Sequence, residues 1–137
     1  MPPRMPTRVV SVLIRRPAAE VYAFASQPEQ MWQWATGLGA GLRAVEDGEW
    51  EVDTAEGLAR IRFAPPNDEG ILDHEVRLAS GKRIQVPLRI VPHPEGCEVR
   101  LTLFRTPGMS ALQFSADAEW VLNDLTTLKR LMESGTD

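Results

Sequence analysis

Ser110–Ser134 carries a helical signal long enough to dictate what the rest of the chain must supply. On a 100° wheel, Ala111, Phe114, Ala118, Val121, Leu122, Leu125, Leu128 and Met132 fall in one stripe at the i, i+3, i+4, i+7 spacing of an amphipathic helix. Ser110 with Gln113 three residues on fits a capping box, and Gly135 suits a left-handed C-cap. A helix of about 24 residues spans about 36 Å, enough to cross a small domain with one face buried. The upstream chain must therefore provide a concave apolar surface. Trp120 and Leu131 fall opposite the stripe, where the helix's own burial does not need them. Tryptophan is enriched at interface centres and closed dimers are the commonest oligomers, so this back face points to a homodimer contact; the alternative is a monomer with an idle tryptophan.

Met1–Thr7, with Pro2, Pro3 and Pro6 and no periodicity, reads as a loose arm (1–7) ahead of a single domain (8–137). Val9–Ile14 is β-branched with Ser11 as its one polar member, which predicts a strand largely buried on both faces. Pro17 starts a short helix through Val21, Phe24 and Ala25 that ends at Pro28. Glu29–Ala35 adds one or two turns, and Gly37, Gly39 and Gly41 open a flexible connection. The pattern then changes to alternation. Runs at Leu42–Val45, Glu49–Thr54, Leu58–Phe63, Ile71–Leu78, Lys82–Val91 and Cys97–Arg105 are separated by turn-rich breaks, which predicts an antiparallel meander of about seven strands including the first.

One face of the meander is charged. Glu49, Glu51 and Asp53 stand beside Arg60 and Arg62, these beside Asp73 and Glu75, then Arg83 and Arg89, then Glu98 and Arg100. Alternating sign from strand to strand is what cross-strand pairing favours, and predicts a solvated outer face rather than a site. The other face carries Trp50, Val52, Ala59, Ile61, Phe63, Leu72, His74, Val76, Leu78, Ile84, Val86, Leu88, Ile90, Cys97, Val99, Leu101 and Leu103. So much apolar surface has to be covered, and the long helix is the cover. The fold class is α+β.

The run from Val10 to Glu29, Val-Ser-Val-Leu-Ile-Arg-Arg-Pro-Ala-Ala-Glu-Val-Tyr-Ala-Phe-Ala-Ser-Gln-Pro-Glu, followed by Trp34, resembles the opening of the START-like superfamily, also called SRPBCC or Bet v 1-like. Asn123–Glu133 is similar to the end of its C-terminal helix. The resemblance implies a helix-grip fold: a curved antiparallel sheet around a long C-terminal helix, two short helices after the first strand, and a cavity for an apolar ligand. Within that group the chain looks most like the polyketide cyclase/dehydrase-like branch. It departs at Gln27, where aspartate is common before Pro-Glu, and in its short length, which disfavours a large cavity.

His74 is the residue best suited to proton transfer near neutral pH, and its strand phase turns it inward; a hydrogen-bonded structural histidine is the plainer alternative. Asp73 and Glu75 point to the opposite face, so Asp73-His74-Glu75 is no triad. Tyr22, Trp32 and Trp34 sit on the short helices, where rings with a polar edge suit a cavity mouth or pack the helices on the sheet. Trp50, Val86 and Leu101 line the inward face. Arg105, at the end of an inward set, either orients a ligand oxygen or stands as a solvated strand end. Cys97 reads as a small buried hydrophobe.

Two histidines and one cysteine give no metal-ligand spacing, and Gly37-Leu-Gly-Ala-Gly41 fails the dinucleotide fingerprint at Leu42, so neither metal nor cofactor is expected. That glycine run reads as a hinge in a mouth loop. The net charge of −4, with basic residues spread along the chain, argues against nucleic acid and against stable membrane association. A lone cysteine and no apolar run of membrane-spanning length predict a reducing, cytoplasmic setting. The expected function is uptake of a small, largely apolar ligand by a carrier or sensor. The alternative is an enzyme of polyketide cyclase/dehydratase or hydrolase type with His74 as acid/base; an interaction protein with a filled core is a third reading.

Overall fold

The computed structural model describes residues 6–134. Strand β1 (Thr7–Ile14) leads through Pro17 into helix α1 (Ala18–Ala25) and two 3₁₀ turns, Pro28–Gln33 and Thr36–Leu38. Strands β2 (Ala40–Ala44), β3 (Trp50–Thr54), β4 (Gly57–Phe63), β5 (His74–Arg77), β6 (Arg83–Val86), β7 (Leu88–His93) and β8 (Gly96–Phe104) follow, and helix α2 (Ala111–Ser134) closes the chain. Among these residues no helix is long and apolar enough to cross a membrane.

The strands form two antiparallel sheets, β1-β8-β7 and β2-β3-β4-β5-β6. There are eight strands instead of the expected seven, because the run Lys82–Val91 divides at Pro87. Proline has no N–H to give to a ladder, and the chain changes partners there: Val86 still pairs with His74 of β5, whereas Leu88 pairs with Leu101 of β8. The seam is nevertheless stitched. Leu72 N donates to Leu88 O at 2.8 Å and Ile90 N to Gly70 O at 2.9 Å. Leu88 N, at the partner switch, donates to Asp73 Oδ1 at 2.9 Å. Gly70 is required at this point, since a Cβ on it would lie 2.2 Å from Ile90 O. The two sheets therefore behave as one curved surface with a proline crease.

Strand β1 is buried on one face only. Val10 and Ile14 point into the core, Leu13 is half-buried, and Val9 is 57% exposed. The expectation of a doubly buried strand fails on the outward phase, where Val9 and Ser11 are exposed. Pro6 O accepts the Arg105 N–H at 2.8 Å, so order is established at least from Pro6; residues 1–5 of the expected arm and the expected C-cap at Gly135 lie outside the described residues.

Helix α2 starts as its sequence requires, with Gln113 N donating to Ser110 Oγ at 3.0 Å; the Gln113 side chain turns to Asp117 instead of completing a capping box. Ala118, Leu125 and Leu128 are buried, in a core with Val10, Ile14, Val21, Ala25, Leu88, Ile90, Val99 and Leu101. α2 runs chiefly along β1. Its C-terminal end is fastened there by Lys129 Nζ on Leu13 O (2.7 Å), Arg16 Nε on Met132 O (3.2 Å) and Arg15 N on Glu133 Oε2 (2.9 Å). The stripe's N-terminal half is less covered than the periodicity predicts: Ala111 is exposed and Leu122 is 46% exposed.

Val52, Ala59 and Ile61 form a second, smaller core on the five-stranded sheet, rimmed by Leu38, Leu42, Trp50, Phe63, Val76 and Leu78, and no residue of α2 belongs to it. On the outer face of that sheet, Glu49 sits among Arg60 (3.4 Å), Arg62 (3.2 Å) and Arg77 (3.4 Å), and Arg43 reaches Glu51 at 2.8 Å. Burial pushes the Glu49 carboxyl up, but Arg77 and Arg62 outweigh it and hold it below the ordinary carboxylate range. The strand-by-strand charge alternation is thus realised as a solvated ion-pair lattice.

Candidate functional site

The inward face of the five-stranded sheet ends in a row of three side chains. His74 lies between Phe63 of β4 and Val86 of β6, its direct cross-strand partners. All three face the same way because residues directly opposite in an antiparallel pair share a face. The histidine ring lies 5.5 Å from the Phe63 ring at 50°. It is 8% exposed, the one buried polar or charged residue among the described residues. Its Nδ1 lies 3.1 Å from the Leu72 carbonyl, which assigns the N–H to Nδ1 and makes Nε2 the acceptor nitrogen. Burial holds the imidazole below its ordinary pKa of 6.5, against the opposing pull of the Leu72 carbonyl and Asp73. The ring is neutral at physiological pH.

Asp73, next in the chain, faces out as the alternation requires. It brackets the proline crease, taking Leu88 N and, at 2.8 and 2.6 Å, the Arg89 guanidinium. Arg89 and the Leu88 N–H hold its carboxyl below the usual range against the cost of burial. Glu75 pairs with Gln85 and Arg83 on the same outer face. Histidine and carboxylates are separated by the sheet itself.

The other sequence-derived candidates divide into those at the interior and those committed elsewhere. Val86 and Trp50 are half-buried on the sheet, and Leu101 is buried between Val10 and Leu88. Trp34 is 3% exposed, and its Nε1–H is buried without a hydrogen-bond partner. Tyr22 Oη accepts the Asn67 N–H at 3.0 Å, which ties α1 to the 64–73 connection; Asn67 Oδ1 in turn takes the N–H groups of Glu69 and Ile71. Trp32 stands 75% exposed, outside this grouping. Arg105 spends its Nε on Met109 O at 3.0 Å, closing the turn before α2. Cys97 is fully buried, and burial pushes its thiol pKa up, as an inert packing residue requires.

Phe63 completes the row around His74; it shares the inward phase of Ile61, and its importance shows only when β4 and β5 are in register. A second feature lay beyond sequence reasoning. Asp124 accepts the Thr36 hydroxyl (2.6 Å) and the Gly37 N–H (2.8 Å), while Trp120 Nε1 donates to Thr36 Oγ1 at 2.8 Å. This clamp holds the Thr36–Leu38 turn against the back of α2, beside an open cleft of about 440 Å³ lined by Ala116, Glu119, Asn123 and Thr127 as well. Burial pushes the Asp124 carboxyl up, opposed by the Thr36 and Gly37 donors. Trp120 is thus a half-covered clamp residue, still 56% exposed, and Leu131 packs against the main core. The glycine run is no open hinge either: a Cβ on Gly39 would lie 2.4 Å from Asp53 O, so the connection is pressed onto β3.

A curved antiparallel sheet with a long C-terminal helix across it and short helices after the first strand defines the helix-grip class of α+β proteins. Solved structures share this arrangement. The chain superposes on protein MLL2253 from Mesorhizobium loti with a TM-score of 0.73 at 18% identity, covering 96% of this chain and 100% of that one. The Aha1 dimer from Colwellia psychrerythraea gives a TM-score of 0.73 at 12% identity, covering 97% and 100%. DynU16, a protein of the dynemicin biosynthetic locus, gives 0.72 at 21% identity over 95% of this chain, which spans 48% of the DynU16 chain. At identities this low the superpositions show the fold alone. No family model matches the chain, and no curated protein matches it.

Proposed function

We propose that the protein binds a small, largely apolar molecule between the inward face of the five-stranded sheet and α2, as a START-like carrier or sensor. The observation that carries this reading is the Phe63–His74–Val86 row: an apolar sheet face with one buried polar group, whose Phe63 and Val86 pack against the main core that α2 shares. Ligand sites of this kind are mostly apolar with a few polar groups that fix orientation. A cyclase, dehydratase or hydrolase needs a second group near His74 to polarise a carbonyl or share the proton, and no other polar or charged residue is buried among the described residues. Binding is therefore favoured over catalysis.

Native mass spectrometry of gently purified protein should show a small-molecule adduct that is lost on denaturation, and the neutral dye N-phenyl-1-naphthylamine should brighten on binding and be displaced by that molecule. An unadducted mass together with no dye response would overturn the reading. Trp120 and Leu112, 56% and 82% exposed on α2, leave that surface open to a second copy. Sedimentation of the wild type beside Trp120→Glu tests a homodimer there; dimers that dissociate only in the variant are expected, and identical behaviour of the two would exclude it.

A further inference from the structure

Trp34 Nε1 is the one buried side-chain nitrogen or oxygen among the described residues that has no hydrogen-bond partner. An indole N–H is a donor only, and leaving it dry and unpaired is unfavourable enough that native folds seldom keep one without a use. Tryptophan also brings a polar edge that leucine or phenylalanine at this position would not. Trp34 shares its core with Leu72, whose carbonyl orients His74, and with Phe63 and Val86, the neighbours of that histidine.

The charges are equally informative. The cations nearest the interior are already engaged with protein groups: Lys129 Nζ with Leu13 O and Glu133, Arg16 Nε with Met132 O, Arg105 Nε with Met109 O. The sheet arginines 60, 62, 77 and 89 pair with Glu49 and Asp73 on the outer face. Among the described residues the interior therefore offers hydrogen-bonding groups and no lysine or arginine. A carboxylate brought there would lose its water and find no opposite charge, whereas a carbonyl oxygen loses less and needs only one N–H.

We propose that Trp34 is a specificity-determining donor, and that the site selects neutral apolar molecules bearing a carbonyl oxygen, accepted by Trp34 Nε1–H, over carboxylates of the same shape. This rests on the binding reading above. Three near-isosteric probes separate the two ideas: 2-acetylnaphthalene, 2-ethylnaphthalene and 2-naphthoate, with affinities from calorimetry near neutral pH and indole N–H resonances followed by ¹⁵N–¹H correlation spectra. The Trp34 resonance is assigned by its loss in Trp34→Phe.

The ketone should bind about tenfold more tightly than the naphthoate and several-fold more tightly than the hydrocarbon, the range one hydrogen bond supplies. It should shift the Trp34 N–H resonance downfield where the hydrocarbon does not. Trp34→Phe should bring the ketone down to the hydrocarbon's affinity. Equal binding of ketone and hydrocarbon with an unmoved Trp34 resonance, or naphthoate binding as tightly as ketone, overturns the assignment and leaves the apolar pocket standing. Failure of all three to bind removes both. Should Trp34→Phe not fold, the resonance is assigned by elimination with Trp32→Phe, Trp50→Phe and Trp120→Phe, and the wild-type affinity ratios and indole shift decide.

Discussion

The two halves of the sheet are built from similar residues and are finished differently. In the β1-β8-β7 half, cross-strand rows Val10–Leu101–Leu88 and Val12–Val99–Ile90 run under α2, whose Leu125 and Leu128 are 1% and 0% exposed. In the β2–β6 half, the Val52–Ala59–Ile61 cluster holds no helix side chain and is rimmed by the half-buried Trp50, Phe63 and Val76, while Val86, like Phe63, packs against the main core that α2 shares. Pro87 divides the two. The difference teaches that in this fold the helix grips the β1-β8-β7 half and contributes no side chain to the small Val52–Ala59–Ile61 core.

The comparison breaks first, and most visibly, at Leu125. Leu125→Ala should cost on the order of 2–5 kcal/mol, a large share of a typical domain's stability. Val86→Ala, in the open half, should cost about 1 kcal/mol or less, because a half-buried side chain has less to lose. Urea midpoints of the two variants test this directly, and equal losses would show that α2 closes both halves alike.

Next in size is the clamp that holds the 36–38 turn to the helix. Asp124→Ala strands the Thr36 hydroxyl and the Gly37 N–H and should cost about 1–2 kcal/mol. Hydrogen exchange should accelerate at Gly37 while the β1-β8 ladder stays protected. The Asp124 carboxyl has its folded pKa raised, so its contribution is full below the ordinary 3.8 and falls away as pH rises through the folded value. Asp124→Asn should flatten that part of the stability profile.

His74 sharpens the comparison through pH. Its folded pKa lies below the ordinary 6.5, so the unfolded chain takes up the proton first. Stability is full above 6.5 and declines as pH falls from there through the lowered folded value. His74→Phe should make the profile flatter below about pH 6.5; an unchanged slope in urea melts would mean that the imidazole is as free to ionise as in water.

The smallest effect belongs to the crease. Asp73→Asn weakens an exposed ion pair with Arg89 but keeps an acceptor for Leu88 N, so about 0.5–1 kcal/mol is expected at neutral pH. The difference should vanish in acid: the depressed Asp73 pKa contributes stability above the ordinary 3.8 that is lost as pH falls through the folded value. A loss much larger than this would make the crease a structural keystone in its own right.

Sequence alone was a good guide wherever the relevant physics is local. Ser110 caps α2, and the two-residue period separates His74 from Asp73 and Glu75. Most of the alternating charges pair across strands, as Arg62 and Arg77 do with Glu49 and Arg89 with Asp73, whereas Arg100 takes Glu98 of its own strand. The single run Lys82–Val91 reads straight through Pro87, whose effect, a change of partner strand, needed the position of β8 to become visible. For the candidate site, the inward phase of His74, Val86 and Leu101 could be read from alternation. The exposed Trp32 and the committed Arg105 could not be told from their neighbours, because a residue's type says nothing of which carbonyl will stand beside it.

What the chain determined by itself is the order of elements and the face on which each side chain lies, since helical and strand periods are properties of consecutive residues. What only the tertiary structure decided is the occupant of the space opposite each face. Val9 is β-branched like Val10 yet 57% exposed, because alternation puts it on the opposite face from the core. Trp120 gains a hydrogen bond from a turn 84 residues away in the chain. Trp34 is buried with its N–H unanswered. Burial and hydrogen-bond satisfaction are sums over neighbours brought together by folding, and a periodic pattern specifies only that an apolar stripe will be covered, not by what.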